Sequence, residues 1–306
     1  MATFFSTCTV RTLALSLAGL SVAPSAGLAA QFRQPVRTPA ISQARSATLY
    51  VSSFQNSTVT EYSLPGGTVI GTLGTPEGIY GPGGLFFTSG HLYVPTGPYV
   101  LLFPAGSPTP SLRLEETDIS GAFGGDVTVG KDGTVYDVNL VNDACGVGEF
   151  EVFEKGQTRP AYAVNMESQY SISATLDASN SLFVAYVPYK IGRIEAYAFG
   201  AQTGKNTPWH LKTPGGIVFD KDGNLVAVDG TRIIVFAPRT HKPIRRFGSL
   251  QSGQFLAFDK TQTVLYVADS AANQVDEFDY ASGKLLGSLS SPDPTGVAVD
   301  PPAPPQ

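Results

Sequence analysis

One short motif returns along this chain at intervals of 40 to 47 residues, and it limits the possible folds more than any other feature. Each copy joins apolar, aromatic or β-branched residues and ends in a small or polar residue. The copies begin at Leu49, Leu92, Val135, Leu182, Leu225 and Leu265. Self-similarity at this period is typical of proteins built from repeated supersecondary units.

Two further motifs recur once in each repeat, in register with the first. In each repeat an apolar residue stands three positions before an aromatic one, and the aromatic residues are Tyr62, Phe103, Phe153, Tyr197, Phe236 and Phe278. A third, mainly apolar segment precedes the first motif and begins at Leu85, Val127, Ala174, Ile217, Leu256 and Val297. Links such as Lys131-Asp132-Gly133 join it to the first motif, which indicates tight hairpins.

Each repeat therefore predicts three strands and a weaker fourth, such as residues 244–248. Four antiparallel strands at this period describe a propeller blade, so the sequence predicts an all-β, six-bladed β-propeller over residues 48–300. The aromatic residue that closes the third strand is predicted to pack between neighbouring blades. A helical repeat is disfavoured because Gly or Pro interrupts every stretch long enough for a helix.

The two ends of the repeat region complement each other. The copy at Thr48 has no leading strand, whereas the last leading strand, residues 297–300, has no successor. We expect the C-terminal strand to become the inner strand of the first blade, beside residues 49–53. This arrangement closes the ring and removes the exposed edges of an open array.

The first thirty residues have the pattern of a secretory signal peptide. Arg11 is their only charge, an apolar run over residues 13–22 follows, and small residues lead to Ala29-Ala30. A retained membrane anchor is the alternative, but the run is about half the length that a membrane span needs. We expect cleavage after Ala29 or Ala30, a secreted or periplasmic protein, a flexible leader over residues 31–47 and a Pro-rich tail over residues 301–306.

Charge and cysteine content narrow the function classes. The chain has 25 acidic and 20 basic residues, and this balance argues against nucleic acid as a partner. Cys8 would leave with the signal peptide, so that Cys145 stands alone and no intramolecular disulfide is expected. The sequence contains no paired-Cys metal motif, phosphate-binding glycine loop or Ser-His-Asp arrangement.

Two segments resemble NHL-type propeller repeats. The first is Pro214-Gly215-Gly216-Ile217-Val218-Phe219-Asp220, continuing to Leu225, and the second runs from Phe258 to Val275. The regucalcin/gluconolactonase-like and YncE-like groups are similar. The resemblance implies a propeller whose relatives include binders, lyases and lactonases, so it indicates fold better than activity.

The last residue of each first motif is predicted to face one rim of the central channel, where propellers commonly bind ligands. These rim residues are Ser53, Thr96, Asn139, Tyr186, Asp229 and Asp269. Asn139, Asp229 and Asp269 form a possible Ca²⁺ or Mg²⁺ ligand set, because hard cations prefer oxygen. The alternative is structural: an Asp at this place caps a turn or ties one blade to the next.

Similarity to regucalcin-type lactonases implies a metal-ligand role for Asp269. That family also has a Glu at the start of an inner strand, for which Glu77 is the nearest match here, several residues early. Where the family has a Pro-Asn-Gly turn that provides an Asn, this chain has Ser252-Gly253-Gln254. His91, His210 and His241 are predicted on turns or an outer strand, so a three-His metal centre is not expected.

The leading interpretation is an exported binding or interaction module. Its protein or small-molecule ligand would bind at the channel mouth, with the rim and a predicted loop over residues 140–148 as contact surface. The first alternative is a metal-dependent hydrolase of a lactone-like molecule, acting through Asp229, Asp269 and Asn139. A structural propeller within a larger envelope assembly is the second.

Overall fold

The computed structural model describes residues 47–117, 124–142, 147–166, 170–188 and 191–304. The predicted signal peptide and most of the predicted leader lie outside these residues. Strands dominate the described chain, and one short 3-10 helix, Thr75–Glu77, precedes the second blade. No helix in these ranges is long and apolar enough to cross a bilayer.

The strands form six antiparallel sheets, which confirms the predicted six-bladed propeller. The first blade contains β1 (Thr48–Ser53), β2 (Thr58–Ser63) and β3 (Thr68–Leu73). The second blade contains β4 (Phe86–Thr88), β5 (His91–Thr96), β6 (Tyr99–Pro104) and β7 (Leu112–Glu115). The third contains β8 (Gly124–Val129), β9 (Val135–Asn142), β10 (Val147–Phe153) and β11 (Tyr162–Asn165).

The remaining blades repeat this order from the inside outwards. The fourth contains β12 (Tyr170–Leu176), β13 (Leu182–Val187), β14 (Gly192–Tyr197) and β15 (Lys205–Leu211). The fifth contains β16 (Pro214–Phe219), β17 (Leu225–Asp229), β18 (Arg232–Phe236) and β19 (Pro243–Phe247). The sixth contains β20 (Gly253–Phe258), β21 (Val264–Asp269), β22 (Gln274–Asp279) and β23 (Leu285–Ser290).

The last strand, β24 (Val297–Asp300), pairs antiparallel with β1 and completes the first blade. Val51 lies opposite Val297, and Tyr50 lies opposite Ala298. The C-terminal strand therefore joins the N-terminal blade, as the sequence predicts.

Six apolar clusters of described residues hold the ring together, and each is shared by two neighbouring blades. The closing aromatic of every third strand is buried in the cluster that its blade shares with the preceding one. Phe153, for example, packs with Val100 and Leu102 of blade 2, and Tyr62 packs with Val275 of blade 6. This confirms the predicted role of the aromatic residues.

Glycines let the inner strands approach one another where those strands begin. A Cβ atom on Gly296 would overlap the carbonyl oxygen of Gly83 and lie 2.7 Å from the Ser52 Oγ. A Cβ atom on Gly83 would overlap the carbonyl oxygen of Gly125 in the next blade. The channel is consequently narrow at this end, which we call the rim face because the second strands end there. The opposite end, with the inner hairpin turns, is the turn face.

The prediction of a loop over residues 140–148 is wrong at both ends. β9 continues to Asn142 and β10 begins at Val147, with Asn142 opposite Val147. Leu140 and Val141 continue β9 as a strand. They extend the β9–β10 hairpin past the register shift between Val147 and Glu149. Residues 143–146, including Cys145, lie outside the described residues.

Candidate functional site

Three of the predicted rim residues bind the loop that leads into their own blade. The backbone N–H of Thr213 donates to Asp229 Oδ1 at 2.6 Å. Asp269 accepts from two backbone N–H groups, those of Gln251 and Ser252, each at 2.7 Å. Thr96 Oγ1 accepts from the Tyr80 N–H and donates to its carbonyl oxygen. In at least these blades, the side chain at the repeated rim position therefore holds the entry loop against the second strand by hydrogen bonds.

The other three rim residues have different surroundings. Ser53 Oγ accepts from the side chain of Asn56 at 2.7 Å, and the Tyr186 hydroxyl donates to Asn206 at 2.7 Å. Asn139 is fully buried, and neither of its amide atoms has a hydrogen-bond partner. Both amide atoms of Asn139 therefore have free hydrogen-bonding capacity.

The axis of the propeller encloses a cavity of about 140 Å³. It is lined by the inner strands of all six blades, including Phe87, Val127, Ile217 and Val297, and by hairpin residues of the turn face. None of the six predicted rim residues lines it. The C-terminal residues Pro302–Pro304 do line it, and Ala303 packs against the cluster shared by blades 5 and 6.

Asp126 places one carboxyl group in this otherwise mainly apolar cavity. Its Oδ2 accepts from the Ser173 hydroxyl at 2.6 Å and from the Ala174 N–H at 3.0 Å. Its Oδ1 accepts from the Val127 N–H at 2.9 Å. Burial raises the pKa of Asp126 to about 7, although these hydrogen bonds oppose the shift. Near neutral pH the carboxyl can therefore either donate or accept a hydrogen bond.

A wider cleft of about 630 Å³ opens between blades 2 and 3 and adjoins the axial cavity. The two spaces share Phe86, Phe87, Val129, Lys131 and Ala303. The cleft adds apolar and aromatic side chains, among them Tyr93, Leu102 and Leu114. The cleft and the axial cavity therefore meet on the side of the turn face.

A second polar feature lies between blades 2 and 3, on the rim side of their apolar cluster. It consists of Glu116, Asp137, Asn139, Glu149 and Glu151, all at least 97% buried. We call it the acidic cluster. The carboxyl groups of Glu116 and Asp137 lie within hydrogen-bonding reach of each other, and no other donor of the described chain reaches their oxygens. Burial and the neighbouring acidic groups raise the pKa of Glu116, and burial is the main cause of the raised pKa of Asp137.

The predicted metal set of Asn139, Asp229 and Asp269 stays a prediction. In the described ranges, no three carboxyl, thiol or imidazole groups already surround a point where an ion would bind. Backbone N–H groups occupy one oxygen of Asp229 and both oxygens of Asp269. Glu77, the nearest match to the lactonase Glu, accepts from the Gly74 N–H at 2.7 Å and caps the 3-10 helix.

The histidines lie on separate elements, as predicted. His91 begins β5 at the inner hairpin of blade 2, and His210 is in the outer strand β15. His241 is in the outer turn of blade 5, where its ring contacts Trp209 at a centroid distance of 4.9 Å.

Solved structures share this fold over most of the chain, although no protein-family model and no curated protein matches it. A chain of a nidogen/laminin complex superposes with a TM-score of 0.64 at 16% identity, covering 83% of this chain and 98% of its own length. A protein of unknown function from Bacteroides caccae superposes with a TM-score of 0.66 at 10% identity, and it also covers 83% of this chain and 98% of its own length.

A chain of Kuenenia stuttgartiensis hydrazine synthase gives a TM-score of 0.60 at 12% identity and covers 81% of this chain and 85% of its own. At such identities the similarity shows the fold alone. The resemblance to NHL-type and regucalcin-like repeats therefore remains a prediction.

Proposed function

We propose that this protein is an exported binding module that takes a small, mainly apolar ligand into its axial cavity. The proposal of export rests on the sequence of the first thirty residues. The proposal of binding rests on the cavity and on the five residues that it shares with the cleft between blades 2 and 3. Apolar concave sites with a few polar groups are typical of small-molecule binding.

The chemistry of the lining indicates the kind of ligand. Phenylalanine, leucine and valine side chains favour an apolar body, and an apolar cavity of this volume accommodates a molecule about the size of benzene. Asp126 adds one hydrogen-bonding group at the narrow end, held by Ser173 and Ala174. A ligand with an apolar body and one terminal hydroxyl, amide or amine group suits this arrangement.

Ala303 offers a way to fill the junction between the cleft and the axial cavity without changing the inner strands. It lines both spaces, it is partly exposed, and it belongs to the C-terminal segment beyond β24. We expect the purified protein to enhance the fluorescence of the apolar probe N-phenylnaphthylamine, whose phenyl ring would enter the axial cavity while its naphthyl group lies in the adjoining cleft. Ala303→Trp should weaken probe binding by about tenfold or more, because the indole would fill the junction.

Ala281→Trp is the matched control, since Ala281 is exposed in the outer turn between β22 and β23. It should bind the probe like the parent. A parent protein that does not enhance the fluorescence, or an Ala303→Trp variant that binds as tightly as the control, would contradict the proposal.

The metal-dependent lactonase remains the alternative proposal. Its support is the resemblance at Tyr266-Val267-Ala268-Asp269-Ser270. The backbone hydrogen bonds to Asp269 favour the structural interpretation of this residue instead.

A further inference from the structure

Within the acidic cluster, the position of Asp137 is apolar in every other repeat. Asp137 is the third residue of its motif, and the other five copies have Val51, Val94, Val184, Ala227 and Val267 there. Each of those residues is buried in an apolar cluster between blades. An aspartate in such a position loses hydration without gaining apolar contacts, so it needs a compensating partner.

Strand pairing places four polar side chains of the cluster on one face of blade 3. Asp137 lies opposite Glu151, and Asn139 lies opposite Glu149, on the antiparallel pair β9–β10. Residues two apart on a strand share a face, so these four side chains form one compact patch towards blade 2. Glu116, which directly follows β7 of blade 2, approaches the same patch.

The surrounding chain provides little positive charge. Residues 116–154 include nine acidic residues and one basic residue, Lys131. Lys131 Nζ donates to the Ala178 carbonyl oxygen at the turn face. The two ion pairs found among the described residues both belong to the more exposed Glu115. Glu116 and Asp137 therefore have no cationic side chain of the described chain as a partner.

Asn139 provides an independent observation. Its side chain is completely buried, its oxygen and nitrogen have no partner, and it stands on the same strand face as Asp137. Leaving a buried amide unpaired carries a desolvation penalty, and a ligand for its oxygen would remove part of that penalty. An amide oxygen beside several carboxylates is a donor set that hard cations prefer.

We propose that the acidic cluster is a Ca²⁺ site between blades 2 and 3. Glu116, Asp137 and Asn139 would provide ligands, with Glu149 and Glu151 beside them. Ca²⁺ suits the cluster better than Mg²⁺ because it accepts more oxygen ligands in irregular geometry, and long Glu side chains can rotate to meet it. The ion would join the two blades at the strand position where the other five repeats have Val or Ala.

The experiment measures Ca²⁺ binding by calorimetry and thermal unfolding in EDTA and in excess Ca²⁺. The parent protein should bind about one Ca²⁺ per chain, and Ca²⁺ should raise its Tm because only the folded chain assembles the site. Asp137→Asn and Glu116→Gln should each weaken Ca²⁺ binding by about tenfold or more and lose the Ca²⁺-dependent rise in Tm.

Asp276→Asn is the control, since Asp276 is also buried but accepts hydrogen bonds from Ser288 and Gln274 in blade 6. It should keep the parent's response to Ca²⁺. If Asp137→Asn does not fold, Glu116→Gln gives the same readout from a position outside the strands. The proposal is wrong if the parent binds no Ca²⁺, or if both cluster variants respond to Ca²⁺ as the parent does.

Discussion

Asp126 is a buried carboxyl whose ionisation should change as the pH approaches neutrality. Its pKa lies at about 7 in the folded chain, against an ordinary value of 3.8, because burial disfavours the carboxylate. The folded state therefore binds the proton more tightly than the unfolded state. The contribution of Asp126 to stability is complete below the ordinary value and declines as pH rises towards about 7.

We expect Asp126→Asn to remove this decline, because an amide does not titrate. The free energy of unfolding of the parent, minus that of the variant, should fall by up to about 1.4 kcal/mol per pH unit between the two pKa values. Denaturant unfolding of both proteins across this range measures the difference. Parallel pH curves for parent and variant would show that Asp126 is not buried as a neutral acid.

For single residues, the sequence predicted where a side chain lies better than it predicted what that side chain does. It placed Asp229 and Asp269 at equivalent ends of their strands, and their hydrogen bonds to the loop that leads into their own blade match the structural alternative. It missed Asp126 and, apart from Asn139, the residues of the acidic cluster. A signal for the cluster was present, since Asp137 replaces the Val or Ala of the other copies. Which partners a buried carboxyl meets depends on two blades together, and a single repeat does not specify that.

Among the elements, the inner strands are the ones whose packing leaves least space. Gly296 immediately precedes β24, and a Cβ atom there would overlap the Gly83 carbonyl oxygen and approach Gly84 Cα at 2.9 Å. The Gly296 N–H also donates to Ser52 Oγ at 2.6 Å, so this strand cannot shift without losing a buried hydrogen bond. Backbone atoms on the opposing strand have little freedom to move aside.

Gly296→Ala should lower the free energy of unfolding by about 3 kcal/mol, at the upper end of the usual cost of overpacking. Gly287→Ala is the matched control in the outer strand β23, where a Cβ atom would meet nothing within 4 Å. That change should be neutral or stabilise by about 0.5 kcal/mol. Equal effects in chemical denaturation would mean that the inner strands are less tightly packed than the structure indicates.

The strand pattern was the part of the fold that the sequence determined most fully. Motifs with aromatic and β-branched residues specified the inner three strands of each blade, because those residues are buried between blades. The extension of the β9–β10 hairpin to Asn142 and Val147 was missed, since the repeat period does not mark where a hairpin ends.

For the whole molecule, closure of the ring is the property on which stability should depend most. β24 contributes Val297, Ala298 and Val299, all buried, to the interfaces of blade 1 with both its neighbours. Burying a valine side chain stabilises by roughly 1.5–3 kcal/mol, so this strand alone represents a large part of a typical free energy of unfolding. Its loss would also expose the edge of β1 and separate blade 1 from blade 6.

Deletion of residues 292–306 should therefore lower the Tm sharply or abolish cooperative unfolding of the entire propeller, whereas deletion of residues 305–306 alone should leave the Tm unchanged. Differential scanning calorimetry distinguishes these outcomes. A synthetic peptide of residues 292–306 should restore part of the lost Tm, because the ladder with β1 and the bond from the Thr295 N–H to the Ser52 carbonyl can re-form between chains. If the long deletion melts like the parent, blade 1 is stable without its inner strand and ring closure does not hold the propeller together.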